Sequence, residues 1–126
     1  MRAVIVFILV SLAWPAIAQQ DPVKGQRDTD VFFGASDLTD RLSGMMLEFY
    51  DGSTARYAAD GSYAYIYQDG DPPFKGTWTV EDRGKVCVTF ENGSDRCDHI
   101  VQNGDRMVLI IERGTRFPVR KTSALN

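Results

Sequence analysis

Apolar and polar residues alternate with a period of two from Met45 onward, and turn sequences interrupt this alternation at short intervals. Asp-Gly at residues 51–52 and Asn-Gly at residues 92–93 are typical of tight turns that join antiparallel strands. The runs between the turns are rich in β-branched and aromatic residues, which favour strands. They predict eight strands, near residues 45–50, 53–58, 62–67, 74–80, 85–90, 95–101, 106–111 and 115–120.

The connections between the predicted strands are too short to contain crossover helices, so we expect an antiparallel, up-and-down order. Eight strands in that order can close into a barrel, which removes both edges of the sheet. The predicted fold class is therefore all-β, an eight-stranded antiparallel up-and-down barrel with one short N-terminal helix. An open, strongly twisted sheet is the alternative.

The helix is predicted just before the first of these strands and has about two turns. Ser36 is a candidate N-cap and Gly44 a candidate end of the helix. Leu38 and Leu42 are four residues apart and would share one buried face. Residues 107–111 are apolar on both faces of their strand, and we expect the helix to cover the outer face.

Residues 1–18 have the form of a secretory signal peptide, with a basic start, an apolar core and a small-x-small end. An N-terminal membrane anchor is the alternative, although the apolar run is shorter than the ~20 residues that span a bilayer. Polar residues 19–31 follow and predict a flexible lead-in. Residues 32–126 would form a single β-barrel domain, with no stable membrane anchor after signal cleavage.

The net charge of −3 offers no electrostatic reason to expect nucleic acid as a partner, because phosphate backbones attract basic surfaces. Two cysteines in an exported chain are expected to pair, which predicts a Cys87–Cys97 disulfide and a periplasmic or secreted location. A metal site at these cysteines is disfavoured by their C-x9-C spacing and the single histidine. A structural disulfide is favoured over a redox pair, and neither a metal nor a cofactor is predicted.

The cysteines are equidistant from Asn92, and a short loop there would place them directly opposite one another on adjacent strands. In that register Cys87 faces outward, and Arg96 and Asp98 point into the barrel as a polar site. A β-bulge after Gly93 would swap the two faces and leave both charges in solvent. Buried charges must be paired, and the bulge is the favoured interpretation.

Tyrosines at strand period are the most distinctive aromatic group. They could bind a sugar or a peptide, but a core position with paired hydroxyls is favoured. The candidate ligand-binding residues are Tyr57, Tyr63, Tyr65, Tyr67, Phe74, Trp78, Arg96 and Asp98, and no catalytic residue is assigned. If the helix closes one end of the barrel, the other end is a free mouth bordered by Asp51, Asp69, Asp71, Lys75, Glu91 and Arg113. Its longest turn, residues 68–75, would be either a flap over the entrance or a hairpin loop stiffened by two prolines.

Gly76-Thr77-Trp78 resembles the G-x-W motif of lipocalins and other calycins. The resemblance implies a barrel in which the tryptophan packs across the closed end beneath an arginine from a late strand, here Arg116 or Arg120. In lipocalins the motif opens the first strand, whereas here it opens the fourth predicted strand.

From about Leu38 to Val119 the chain is also similar to small exported proteobacterial proteins of unknown function. The similarity rests on short motifs in a fixed order: Tyr50-Asp51-Gly52, Asp60-Gly61-Ser62-Tyr63, Gly76-Thr77-Trp78-Thr79-Val80, Val86-Cys87-Val88 and Arg96-Cys97. It implies an exported, lipocalin-like β domain. Bacterial inhibitors of secreted metalloproteases are similar in size, disulfide and barrel type, and they inhibit through an N-terminal arm; residues 19–30 would be that arm.

These observations favour an exported, non-catalytic binding or envelope-associated protein. Its partner would be a small apolar or aromatic ligand, or another envelope or secreted protein. Inhibition of a secreted protease is one alternative. An enzyme that uses Arg96, Asp98 and the tyrosines inside the barrel is the other.

Overall fold

The structure is a computed structural model that describes residues 8–16 and 20–126. Its elements are β1 (Val31–Phe32), α1 (Ala35–Leu42), β2 (Met45–Phe49), β3 (Thr54–Tyr57), β4 (Ser62–Ile66), β5 (Phe74–Glu81), β6 (Lys85–Phe90), β7 (Asp95–Asn103), β8 (Arg106–Ile110) and β9 (Arg116–Ala124).

Strands β2 to β8 each pair with the next strand in the chain, and β9 pairs back onto β2. The eight strands therefore close into an antiparallel up-and-down barrel, which confirms the predicted fold class and excludes the open sheet. The last strand is longer than predicted, because its second half closes the barrel by pairing with β2 from Met45↔Ala124 to Phe49↔Val119. The short strand β1 pairs antiparallel with the second half of β7, at Val31↔Gln102 and Phe32↔Val101.

The helix α1 lies at the end of the barrel where β2 begins. Its side chains Leu38 and Leu42 are fully buried in the core, as predicted. The predicted cap is wrong, because the N-cap is Gly34 and Ser36 lies inside the helix. Gly44 follows the helix with a φ of 76°, a left-handed conformation that glycine adopts without steric cost.

The helix does not cover the outer face of β8, contrary to the expectation. It packs against β5 and β2 instead. The outer face of β7 and β8 carries Val101, Val108 and Ile110, and Phe32 of β1 packs onto them. The apolar character of β8 on both faces therefore reflects burial by the chain that precedes the helix.

That preceding segment also contacts the barrel, although the sequence predicts a flexible lead-in. Asp30 forms a two-pronged ion pair with Arg116 of β9, with N–O distances of 2.7 and 2.8 Å. The backbone oxygen of Asp21 accepts a hydrogen bond from Arg83. Gly25 lies against the turn at Gly114 so closely that an added Cβ would be 2.2 Å from the Gly114 oxygen.

The predicted signal peptide is described only in part. The basic start and the cleavage site after Ala18 lie outside the described residues. Residues 8–16 form no helix or strand, and their large apolar side chains are exposed. Across the part of the chain that the structure describes, no helix is long and apolar enough to cross a membrane.

Candidate functional site

The register between β6 and β7 decides which side chains enter the barrel. Cys87 lies directly opposite Cys97, and the two form a disulfide with a Cα–Cα distance of 4.1 Å. The predicted disulfide is thereby confirmed, and it indicates an oxidising environment outside the cytoplasm. The pairing runs without a shift from Lys85↔His99 to Thr89↔Asp95.

The β-bulge favoured from the sequence is therefore wrong. Without it, β7 keeps strict alternation, so Arg96, Asp98 and Ile100 point inward while Cys97 points outward. Asp98 is only 4% exposed, and its Oδ2 accepts a hydrogen bond of 2.9 Å from Nε of Arg96. The bulge is unnecessary because Asp98 enters the barrel paired with the cation Arg96 and not as an isolated charge.

The carboxyl group of Asp98 is unusual in two respects. Burial raises its pKa above the ordinary value, and the neighbouring Arg96 opposes that rise. Its second oxygen, Oδ1, is buried and has no hydrogen-bond donor among the described residues. Asp98 is thus a buried acid with unused hydrogen-bonding capacity, as functional sites often contain.

Three of the candidate aromatic residues belong to the core. Tyr57 packs edge-on against Tyr63 and Trp78, with ring centroids 5.3 and 5.4 Å away. The indole Nε1 of Trp78 donates a hydrogen bond of 2.9 Å to the backbone oxygen of Ala58. Burial raises the pKa of both Tyr57 and Tyr63, so their hydroxyls stay protonated. None of the three lines a cavity at the mouth of the barrel.

The other candidate aromatics form a row at the end of the barrel opposite the helix. Tyr65 stacks on Phe49 and lies 4.9 Å from the ring of Tyr67. Tyr67 in turn meets Phe74 edge-on at 5.7 Å. Tyr67 and Phe74 are 42% and 49% exposed, so this row runs from the core out to solvent.

Two adjoining cavities open along this row. The first has a volume of 230 Å³ and is lined by Tyr65, Tyr67, Phe74, Phe90, Asn92, Ser94 and Arg96. The second has a volume of 180 Å³ and is lined by Phe49, Tyr65, Tyr67, Arg96, Leu109, Ile111, Arg113 and Phe117. Because both share Tyr65, Tyr67 and Arg96, they form two lobes of one site, named here the mouth site.

The sequence predicted charged residues at this end of the barrel, and the structure arranges them differently. Of that set only Arg113 lines the mouth site. The carboxylate of Asp51 is hydrogen-bonded within its own turn, because its Oδ1 accepts a hydrogen bond of 2.6 Å from the hydroxyl of Ser53. Ser53 is also hydrogen-bonded to the hydroxyl of Tyr65 at 2.7 Å, which fixes that ring.

Several lining residues were not proposed as site residues from the sequence. Phe90, Leu109 and Phe117 alternate correctly for the interior of a barrel, and such residues look like ordinary core residues. Asn92 and Ser94 look like turn residues, and Ser94 indeed donates to Oδ1 of Asn92. Only barrel closure places these turn and strand residues around one opening.

The arginine that the lipocalin resemblance implies is not found over Trp78. Arg116 pairs with Asp30 instead, and Arg120 is exposed. Tyr57 occupies the space beside the indole ring. Arg41 of the helix lies over a different ring, that of Phe33, at 5.0 Å.

Within residues 8–16 and 20–126, no group of three or more His, Cys, Asp or Glu side chains is arranged to hold a metal ion. Comparisons with protein-family models, with curated proteins and with solved structures find no match to this chain. The mouth site therefore has to be interpreted from its own chemistry.

Proposed function

We propose that this protein is an exported, non-catalytic binding module that takes up a small apolar or aromatic ligand at the mouth of its barrel. The observation that carries the proposal is the pair of aromatic-lined cavities that meet at Tyr65, Tyr67 and Arg96. At the opposite end the helix buries Leu38 and Leu42 in the core, which favours the mouth as the entrance for a ligand.

The volumes set the size of the ligand. An apolar cavity of about 150 Å³ accommodates a benzene ring, so each lobe suits one ring-sized group. A ligand with two such groups would occupy both lobes and contact the shared tyrosines.

The mouth is also suited to binding because its aromatic rings are fixed before a ligand arrives. The hydroxyl of Tyr65 is hydrogen-bonded to Ser53, which is itself bound to Asp51. Each ring of the row touches the next. Rings that are already ordered lose little conformational entropy when they bind a ligand.

The test is a fluorescence titration of the purified, oxidised protein with naphthylamine probes. Two matched variants locate the binding site. Ser94→Trp introduces a large side chain at the mouth site, and Ser62→Trp introduces the same side chain at the opposite end. Both serines are exposed and directly follow a turn capped by an Asn or Asp side chain.

We expect saturable binding of one probe per chain, which Ser94→Trp abolishes and Ser62→Trp preserves. Absence of saturable binding by every probe would refute the proposed function. Equal loss in both variants would place the binding elsewhere. A native mass spectrum of the same protein would then reveal any retained natural ligand as added mass.

Export is the second part of the proposal. The disulfide and the predicted signal peptide together support a periplasmic or secreted location. Mass spectrometry of the protein isolated from its source should find a mature chain that begins at Gln19. A chain that retains residues 1–18 in the cytoplasm would contradict export.

An enzyme is the second candidate, since Arg96 and Asp98 face the barrel interior and the pKa of Asp98 is raised by burial. Such groups are typical of proton transfer in active sites. The enzyme has less support than the binding module, because Asp98 does not line the mouth site. Turnover of an ester or glycoside that Asp98→Asn abolishes would establish the enzyme.

Inhibition of a protease through residues 19–30 has less support still. The end of that segment is anchored to the barrel through Asp30, and its beginning through the backbone of Asp21. A protease would have to displace these contacts or bind what precedes them. Deletion of residues 19–28 leaves Asp30 in place, and inhibition that survives the deletion would exclude an arm mechanism.

A further inference from the structure

The mouth site differs from the rest of the protein in the sign of its charge. The chain as a whole has a net charge of −3. The residues that line the two lobes include two arginines, Arg96 and Arg113, and none of them is Asp or Glu. Every ionised side chain that lines the two lobes is therefore an arginine, although the chain as a whole is acidic.

Arg96 is the charged residue common to both lobes. Its Nε donates to Asp98, and this ion pair engages one of the five N–H donors of the guanidinium. The side chain of Arg96 keeps 37% of its surface exposed, whereas that of Asp98 keeps 5%. The carboxylate thus lies beneath the cation and orients it over the ring of Phe90, 5.9 Å from the ring centroid, and the partly exposed side chain of Arg96 lines both lobes.

The nearest other charges do not cancel this arrangement. Arg113 lies at the rim of the second lobe and is exposed. Glu112 faces a neighbouring groove, which it shares with Lys24 and both arginines. Asp98 offsets part of the charge of Arg96 from beneath. Asp51 lies behind Ser53 and Tyr65, but neither carboxylate lines the lobes themselves.

We propose that the mouth site selects small aromatic anions over neutral molecules of the same shape. The ring system of the ligand lies against Tyr65 and Tyr67, and its negative group accepts hydrogen bonds from the accessible N–H groups of Arg96, with Arg113 as a second cation at the rim. This proposal rests on the proposed binding function and deepens it. Charge-assisted hydrogen bonds from a fixed guanidinium are about twice as strong as neutral ones.

The test compares two probes that share one aromatic body. Anilinonaphthalene sulfonate carries a single negative charge, and phenylnaphthylamine is neutral. Both are titrated by fluorescence into the oxidised, folded protein. We expect the anion to bind roughly tenfold more tightly, as one charge-assisted hydrogen bond supplies, and its advantage to shrink as salt is raised.

Three variants identify the groups responsible. Arg113→Gln removes the rim cation and should weaken the anion roughly threefold without changing the neutral probe. The double variant Arg96→Met with Asp98→Asn removes the whole ion pair, so that no buried charge is left alone, and should remove the preference for the anion. Arg56→Gln is the matched control, because Arg56 is exposed on β3, where it pairs with Met46 near the helix end of the barrel.

Each outcome decides one question. Equal affinity for the two probes would overturn anion selectivity and leave the binding function intact. Failure of both probes would overturn the binding function itself. Equal weakening by Arg113→Gln and Arg56→Gln would mean that net charge alone attracts the anion, which also overturns the proposal. If the double variant does not fold, Arg113→Gln and the salt dependence decide.

Discussion

The ion pair between Asp30 and Arg116 connects the N-terminal segment to the barrel, and its removal should be costly. The side chain of Asp30 has 0% exposure and that of Arg116 has 13%. Asp30 also accepts hydrogen bonds from the backbone of Arg27 at 2.7 Å and from Asn103 at 2.8 Å. Asp30→Asn keeps the size of the side chain and removes its charge, which leaves Arg116 without its ionised partner.

The expected loss follows from the burial of the pair. Removing one partner of a buried ion pair costs about 3–5 kcal/mol of unfolding free energy, because the other charge stays desolvated. Arg116 keeps some exposure and also donates to the backbone oxygen of Gly25, so we expect the lower limit, about 3 kcal/mol. For a domain of this size, that loss lowers Tm by roughly 10–20 °C.

The assay is urea unfolding followed by tryptophan fluorescence. Trp78 is buried at the helix end of the barrel, and the other tryptophan, Trp14, belongs to the predicted signal peptide. Asp28→Asn is the matched control, because Asp28 is exposed and lies two residues away. We expect the control to change the unfolding free energy by less than about 0.5 kcal/mol.

The pH dependence supplies a second test. Hydrogen bonding by Arg116 lowers the pKa of Asp30 far below its ordinary value. A lowered pKa in the folded protein means that this stabilisation is present above the unfolded pKa of about 3.9 and is lost as the pH falls below it. The difference between wild type and Asp30→Asn should therefore shrink from pH 4 towards pH 2.

A double-mutant cycle with Arg116→Gln isolates the ion pair itself. We expect a coupling energy of at least about 1.5 kcal/mol between the two substitutions at pH 7. A coupling below about 0.5 kcal/mol, or a pH-independent effect of Asp30→Asn, would falsify the reasoning. The N-terminal segment would then owe its position to other contacts.

Three further predictions concern the barrel. Replacing Cys87 and Cys97 by serine should lower the unfolding free energy by roughly 2–3 kcal/mol, and dithiothreitol should reproduce the loss in wild type but not in the variant. Gly76→Ala places a Cβ 2.2 Å from the backbone oxygen of Thr89, so we expect a loss above about 2 kcal/mol in the same urea assay. At position 34 an added Cβ meets nothing within 4 Å, so Gly34→Ala should lose only the N-cap preference of glycine, about 0.5–1 kcal/mol. Burial raises the pKa of Asp98 in the folded protein above its unfolded value. The unfolding free energy of wild type should therefore fall relative to that of Asp98→Asn as the pH rises from about 4 through the raised pKa. A difference that stays constant from pH 4 to 7 would contradict this sign.

The strands could be predicted from the sequence because the features that indicate them are local. Alternation with a period of two and glycine-containing turns act within a few residues, and they predict all eight barrel strands correctly. The disulfide was predictable for the same reason, since the two cysteines lie symmetrically about one turn. The helix was located correctly and its cap was not, because Ser36 and Gly34 are both acceptable N-caps and only the geometry of the preceding chain selects one.

The direction of Arg96 and Asp98 depended on more than local pattern. The alternation of β7 allowed either face, and the cost of burying charges favoured the bulge. In the structure the ion pair between Arg96 and Asp98 offsets the cost of burying the carboxylate. Its energy depends on the distance between the two side chains in three dimensions.

By itself, then, the sequence determined the strand order, the turns and the disulfide, because each depends on neighbours along the chain. Barrel closure decided the rest. It brought Tyr65, Tyr67 and Arg96 together with residues from β2, β8 and β9 around one opening, and it moved Tyr57 and Trp78 into the core. It also buried Asp30 against Arg116, 86 residues away, so that a polar lead-in became part of the folded domain. Contacts at such separations are set by the curvature of the whole sheet, which no short stretch of sequence encodes.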